Sequence, residues 1–149
     1  MEGSVSSKFL GSLAAWHHPA ANAKARLLLV HGLSEHSGRH LNTVNFFTKN
    51  EVECVRFDLR GAGKSGGRRQ WVDSFGNYVV DTTHVFNWLN RDLESLPLFV
   101  LGHSLGGAIA TYFTSTHQSA IRGLVLSSPA TEIGKAIPPL KVAAAKLIA

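Results

Sequence analysis

The sequence of 149 residues is long enough for one domain with a buried core. With 44% hydrophobic and 17% charged residues, its composition is typical of a globular protein and excludes a disordered chain. The formal net charge is +5, but the basic residues form small scattered clusters, Lys24/Arg26 and Arg68/Arg69, instead of a continuous stripe with interleaved aromatic residues. This pattern argues against nucleic-acid binding and is compatible with a weak attraction to anionic lipid surfaces.

The apolar runs of the sequence are all short. None approaches the roughly 20 residues that a membrane-spanning helix needs. Glu2 stands where a signal peptide carries positive charge, and Gly11 and Ser12 interrupt the apolar part, so we expect two short N-terminal strands instead. Cys54 is the single cysteine, which excludes an internal disulfide, and its apolar surroundings predict a packing role. We therefore expect a cytoplasmic protein with at most peripheral membrane contact.

Short β-rich runs alternate with longer helical ones after the N-terminal pair. This order predicts βαβ units and an α/β fold with a mainly parallel sheet flanked by helices. The predicted strands are residues 25–30, 53–59, 96–102 and 121–127, and the predicted helices are residues 37–50, 75–93 and 105–117. The tail after Pro138 and Pro139 has an apolar helical pattern that stops without a polar residue or glycine. We interpret residues 1–149 as the N-terminal part of a single domain.

The stretch RGAGKSGG, residues 60–67, contains both G-x-G-x-x-G and G-K-S, which suggest nucleotide binding. A phosphate-binding P-loop requires a further glycine at position 58, where the chain has Asp58. A dinucleotide-binding loop must open directly into a helix, but the next predicted helix begins near Phe75. Asp81, at the spacing of a ribose-binding acid, falls inside that helix. The glycines therefore indicate a tight loop at the end of a strand.

A stronger signal is FVLGHSLGGAIA, residues 99–110, which contains G-x-S-x-G between a predicted strand and a predicted helix. This context is typical of a nucleophile elbow, which holds a strained serine above the edge of a sheet. Ser104 is the candidate nucleophile. The oxyanion of a tetrahedral intermediate needs two backbone donors, and we predict the N–H groups of Leu105 and Leu33 for that role.

Several further segments resemble blocks of one known family, in the same order: HGLSEHSGRH (31–40), FDLRGAGKSGG (57–67), WVDSF (71–75), VLGHSLGGAIA (100–110) and IRGLVLSSPA (121–130). Together they make the chain similar to the N-terminal half of an α/β-hydrolase of the monoacylglycerol lipase and lysophospholipase group, which includes the S33 serine aminopeptidases. The last residues resemble the start of that group's lid region. The resemblance covers nearly the whole chain and is more specific than G-x-S-x-G alone.

The resemblance implies a serine hydrolase that cleaves small lipid esters through an acyl-enzyme, without a metal or organic cofactor. It implies Ser104 as nucleophile, Leu33 and Leu105 as oxyanion-hole residues, and Glu35 and Arg39 near the pocket for a polar alcohol. The spacing of Glu35 and Arg39 is equally compatible with a surface ion pair between residues i and i+4. Peptidase, thioesterase and acyl-transfer chemistry are close alternatives on the same fold.

The rest of a catalytic triad is not evident in the sequence. Hydrolases of this fold place the acid and then the histidine after the serine. After Ser104 the chain has only Glu132 and His117, and His117 lies about 20 Å away at the far end of the predicted helix. His31 belongs to the predicted oxyanion loop and is a poor candidate for the base. We expect this chain alone to be marginally folded and essentially inactive, and a non-catalytic form that binds lipid or a partner stays an alternative.

Overall fold

In the computed structural model, residues 6–93 and 95–130 are described. The elements in chain order are β1 (Ser6–Leu10), β2 (Leu13–His18), β3 (Ala25–Val30), a 3-10 turn (Ser37–His40), α1 (Leu41–Lys49), β4 (Val52–Phe57), α2 (Phe75–Asp92), β5 (Leu98–His103), α3 (Leu105–Thr116), a second 3-10 turn (Gln118–Ala120) and β6 (Gly123–Ser127). The predicted N-terminal strands and all four later strands are confirmed. The predicted tail helix, the lid region and Glu132 lie outside the described residues.

The strands of the described part form one sheet in the order β1-β2-β4-β3-β5-β6. The four strands β4, β3, β5 and β6 pair in parallel, and β1 and β2 extend the sheet in antiparallel pairing. Parallel neighbours need crossover connections, and the helices supply them. The expectation of a mainly parallel sheet flanked by helices is therefore confirmed.

Helices cover both faces of the sheet, which accounts for the uninterrupted apolar character of the central strands. On one face, α2 and α3 pack through Val85, Leu89, Ile109 and Phe113, all fully buried. On the other face, α1 packs through Val44 against a smaller cluster that includes Leu27, Leu29 and Cys54. Cys54 is buried and its burial raises the pKa of the thiol to about 12, so the predicted packing role is confirmed.

Element ends differ from the sequence-based expectations by a few residues. The predicted helix 37–50 is a 3-10 turn followed by α1. In the 3-10 turn, the N–H of Arg39 donates to the carbonyl of His36, three residues back (3.1 Å). The fourth strand ends at Phe57 instead of residue 59. The Asp58 N–H still donates to the Ala14 carbonyl of β2 (2.9 Å), while the Asp58 side chain accepts hydrogen bonds from Ser37. The fifth strand begins at Leu98, after Pro97, which lacks an N–H to donate.

Candidate active site

Ser104 lies at the sharp turn between β5 and α3. Its backbone has φ 52° and ψ −118°, a conformation that L-residues rarely adopt and that costs about 1–3 kcal/mol. Four backbone hydrogen bonds hold it there: its N–H donates to Ser127 (3.0 Å), and its carbonyl accepts from Gly107 (2.9 Å), Ala108 (3.3 Å) and Ala130 (2.9 Å). The strain is thus maintained by the start of α3, by β6 and by the residues that follow β6.

The glycines around Ser104 let β5, α3 and β3 approach one another closely. A methyl group on Gly106 would lie 2.2 Å from the carbonyl oxygen of Val30 and 2.4 Å from that of His31. A methyl group on Gly102 would lie 2.4 Å from the carbonyl oxygen of Gly106. These contacts are far too short, so side chains are excluded at both positions. The close approach of these three elements therefore accounts for the two glycines of G-x-S-x-G.

The loop after β3 faces the serine. A methyl group on Gly32 would meet the Ser104 Cβ at 3.1 Å, so the backbone of this loop lies directly beside the serine side chain. Leu33 and Leu105 line one open pocket, together with Leu59, Gln70 and Tyr78. The structure therefore brings together Ser104 and both predicted oxyanion-hole residues. Because Leu105 begins α3, the positive end of the helix dipole also points into this region.

Glu35 braces the loop that carries Leu33. Its Oε1 accepts from the N–H of Gly32 (2.5 Å) and lies 3.0 Å from Nε2 of His40. Burial would raise the pKa of Glu35, but the hydrogen bonds from His40 and Gly32 and the nearby imidazoles of His40 and His103 hold it below its ordinary value. The Glu35 side chain is only 12% exposed, so this carboxylate contributes to the shape of the loop.

Arg39 lies outside this brace. Its Nε is 3.7 Å from Oε2 of Glu35, and its side chain is 66% exposed. Both interpretations of the Glu35 and Arg39 spacing thus retain support: the pair is an i,i+4 ion pair, and it borders the loop of the candidate site. The hydrogen bond from the Gly32 N–H to the Glu35 carboxylate, three residues away, was not predicted. Hydrogen bonds from a backbone N–H to the side chain of a nearby residue are nevertheless a recognisable local pattern.

His31 has both ring nitrogens engaged. Its Nε2 accepts from the N–H of Leu59 (2.9 Å), so Nδ1 carries the proton and lies 2.8 Å from the carbonyl oxygen of Gly32. Burial lowers the pKa of His31, against the opposing effects of the Gly32 carbonyl and the carboxylates of Asp58 and Glu35. A neutral ring with its acceptor nitrogen occupied cannot take the proton of Ser104. His31 instead joins the loop after β3 to the end of β4.

His103 and His117 also have structural partners. His103 Nδ1 lies 3.1 Å from the Ser127 hydroxyl, and its ring contacts that of His40 at 5.6 Å. His117 follows the last turn of α3, where its ring stacks on Phe113 at 4.3 Å. Within residues 6–93 and 95–130, these contacts leave Ser104 without an evident general base.

The glycine-rich loop after β4 has a structural role that explains the mismatch with nucleotide-binding motifs. Asp58 turns into the loop and accepts from the N–H groups of Ser37 (2.8 Å) and Lys64 (2.8 Å). Arg60 forms two hydrogen bonds of 2.6 Å with the Asp81 carboxylate, the acid that the dinucleotide interpretation would assign to a ribose. Both carboxylates therefore already have protein partners.

The described residues contain neither a metal-binding cluster nor a membrane-spanning helix. Across residues 6–93 and 95–130, no three or more His, Cys, Asp or Glu side chains form a group able to hold a metal ion. Over the same ranges, no helix has both the length and the apolar character that crossing a membrane requires.

The parallel sheet, the flanking helices and the serine at the strand-to-helix turn define an α/β-hydrolase. The family model described as serine aminopeptidase, S33 matches residues 21–149, and the chain belongs to this family. The structure of a monoacylglycerol lipase from Paleococcus ferrophilus is similar, with a TM-score of 0.75 and 30% identity, covering 91% of this chain and 50% of that one.

Curated relatives agree with this assignment. The chain is 31% identical over 130 residues to a monoacylglycerol lipase of Mycolicibacterium smegmatis, covering 87% of this chain and 46% of the relative. It is 31% identical over 116 residues to the phospholipase YtpA of Bacillus subtilis, covering 76% of this chain and 44% of the relative. The chain thus spans less than half the length of these relatives. The resemblance inferred from the sequence motifs is confirmed.

Proposed function

We propose that this chain carries the nucleophile and oxyanion hole of a serine hydrolase that cleaves carboxylic esters of the monoacylglycerol or lysophospholipid type. The observation that carries the proposal is the strained backbone of Ser104 beside Gly32, with Leu33 and Leu105 lining one pocket next to it. Such a conformation costs about 1–3 kcal/mol. Strain of this kind is typical of residues held for chemistry.

In the proposed reaction, Ser104 Oγ attacks the ester carbonyl carbon while a base accepts its proton. The N–H groups of Leu33 and Leu105 stabilise the negative oxygen of the tetrahedral intermediate, and the N-terminus of α3 adds to this stabilisation. The intermediate collapses to an acyl-enzyme and the protonated alcohol leaves. Water then attacks the acyl-enzyme and releases the fatty acid. The base and its orienting acid must come from residues outside the described ranges, since His31 is already engaged.

For the alcohol part of the substrate, the proposal gives Glu35 and Arg39 different tasks. Glu35 is nearly buried and holds the oxyanion loop through Gly32, so it acts as a positioning residue. Arg39 is 66% exposed, so its guanidinium can contact a glycerol or phosphate oxygen of the substrate. The names of the relatives, a monoacylglycerol lipase and a phospholipase, favour small lipid esters with a polar alcohol.

A second candidate function is non-catalytic binding of a lipid or partner. It is favoured by one observation: in the described part of the chain, the elbow has no general base within evident reach. A serine without an activating base is a poor nucleophile, and catalysis would then be residual. We expect the 149-residue chain alone to hydrolyse esters negligibly.

The test is labelling of Ser104 by a fluorophosphonate probe, with and without added imidazole as an external base. If Ser104 is a nucleophile that lacks its base, imidazole will accelerate labelling of the parent chain and of Ser115→Ala, a control at an exposed serine of α3, but not of Ser104→Ala. Peptide mass spectrometry identifies the modified serine. Circular dichroism confirms that each chain is folded.

Two other outcomes are informative. Rapid labelling of Ser104 without imidazole would support the hydrolase and would show that the chain supplies its own base. Equal labelling of the parent chain and Ser104→Ala, with or without imidazole, would overturn the nucleophile assignment and favour the binding function.

A further inference from the structure

An exposed segment with two arginines and a tryptophan, residues 67–71, lies at the end of the glycine-rich loop; we call it the basic–aromatic loop. All five of its residues are exposed, and the Trp71 ring itself is 38% exposed. The Arg68 guanidinium lies over that ring, 4.6 Å from its centroid. Two cations beside a partly exposed aromatic ring suit a partner that is anionic and partly apolar.

The basic–aromatic loop is held in a fixed conformation by backbone contacts. Arg69 donates to the carbonyls of Gly63 (3.1 Å) and Ser65 (3.0 Å), and the N–H of Gln70 donates to the carbonyl of Gly61 (3.1 Å). The indole N–H of Trp71 donates to the carboxylate of Asp73 (3.1 Å). The arginines and the ring are thus held close together, and binding a partner would cost little conformational entropy in this loop.

This loop borders the mouth of the candidate active site. Gln70 lines the pocket together with Leu33, whose side chain is 61% exposed. The hydroxyl of Ser34 lies 3.4 Å from the Gln70 side-chain oxygen, so the two loops meet across the mouth. An exposed leucine therefore stands on one side of the pocket, and two cations and an indole stand on the other.

We propose that the basic–aromatic loop, with Leu33, docks this chain onto the surface of an anionic phospholipid bilayer. Arginine recognises phosphate oxygens, and cations near an anionic leaflet each contribute about fivefold to binding, which corresponds to about 1 kcal/mol. Tryptophan prefers the boundary between headgroups and acyl chains, and an exposed leucine can enter the same layer. Asp73 is the acidic side chain next to the ring, and its bond to the indole N–H partly offsets its repulsion from the lipid.

A single-stranded nucleic acid is a weaker candidate for the same surface. Such partners stack successive bases on several aromatic side chains along a basic groove. The loop offers one ring, already covered on one side by Arg68, and its apolar neighbour is a leucine. The docking proposal does not require hydrolysis. Combined with the proposed function, it would bring the pocket mouth to the lipid layer that holds the substrate.

Co-sedimentation with vesicles tests the proposal on the 149-residue chain. We expect binding to phosphatidylcholine vesicles that contain phosphatidylserine, weaker binding to pure phosphatidylcholine, and loss of the difference at high salt. Arg68→Gln and Arg69→Gln should each lower partitioning about fivefold. Trp71→Ala should lower it on both vesicle types, and the parent chain should show a blue-shifted tryptophan emission that Trp71→Ala lacks.

Two control variants alter similar residues elsewhere on the surface. Lys24→Gln removes a cation whose side chain is 73% exposed, and Phe46→Ala removes a ring that is 64% exposed on α1. Both should bind vesicles like the parent chain. Equal losses in Lys24→Gln and Arg68→Gln would overturn the proposal, because they would indicate only a response to net charge. Binding to single-stranded DNA without binding to vesicles would also overturn it.

Discussion

The close approach of α3 to β3 makes Gly106→Ala a demanding test of the site geometry. The added methyl would lie 2.2 Å from the carbonyl oxygen of Val30, whereas ordinary contacts begin at 3.4 Å, a shortfall of 1.2 Å. The carbonyl of His31, at 2.4 Å, blocks the same methyl, so a side-chain rotation cannot relieve the clash. Either α3 or the centre of the sheet must move.

The magnitude follows from these two contacts. Overpacking against a rigid neighbour costs typically about 1–3 kcal/mol. Here both obstacles are main-chain atoms at the end of β3, a strand paired on both sides, so we expect the upper end of that range. The helix-propensity gain of alanine over glycine is at most about 1 kcal/mol. The expected net loss in the free energy of unfolding is about 2–3 kcal/mol, a large part of a typical domain's stability of roughly 5–15 kcal/mol.

Urea unfolding followed by circular dichroism measures this loss, and Gly76→Ala is the matched control. Gly76 is exposed in the first turn of α2, and a methyl there would meet only the Ser74 hydroxyl at 3.5 Å. That variant should be as stable as the parent chain or up to about 1 kcal/mol more stable. A Gly106→Ala chain within about 0.5 kcal/mol of the parent would refute the packing of α3 on β3, since surface changes alone produce effects of that size.

Three further substitutions have defined outcomes. Ser104→Gly should raise the free energy of unfolding by about 1 kcal/mol relative to Ser104→Ala, because glycine adopts φ 52° and ψ −118° without strain; equal urea midpoints would contradict the strain. Asp81→Ala should lower the free energy of unfolding by about 2 kcal/mol, less than the loss of one partner of a fully buried ion pair, because the Arg60 side chain is 31% exposed and can be hydrated. The double variant Arg60→Met/Asp81→Ala should regain part of that free energy in thermal unfolding. Burial and the neighbouring Arg56 and His17 lower the pKa of His18 to about 4. Between this value and about 6.5 the folded state binds fewer protons than the unfolded state, so the free energy of unfolding should fall as the pH drops from about 6.5 to 4. His18→Gln should flatten that slope in urea titrations at several pH values, and an unchanged slope would show that other groups cause it.

Much of the fold was predictable because each strand and helix has a local signature. The run ARLLLV reads as a buried strand and is β3 with unchanged bounds, and G-x-S-x-G indicated the turn at Ser104. The ends of other elements depended on tertiary partners that the sequence does not reveal. At the end of β4, for example, the Asp58 side chain accepts a hydrogen bond from Ser37, a residue 21 positions earlier.

The candidate site was predictable to a similar degree. Ser104, Leu33 and Leu105 could be proposed from motifs; in the structure Leu33 and Leu105 line one pocket, and Ser104 lies beside Gly32 of the same loop. The bracing contacts were not predicted, since the bond from the Leu59 N–H to the His31 ring joins the ends of two separate strands. Surface features such as the stacking of Arg68 on Trp71 also depend on side-chain conformations that composition does not specify.

The hydrogen bonds that hold Ser104 have a consequence for the order of events during synthesis. A ribosome releases β5 and α3 before β6, yet the backbone of Ser104 is tied to Ser127 and Ala130, and Gly107 packs close to Pro129. A nascent chain that has released only β5 and α3 therefore lacks the hydrogen bonds to Ser104 from Ser127 and Ala130. Ser104 can relax until residue 130 has emerged and β6 has paired, so its strained conformation is fixed only after the neighbouring strand is complete.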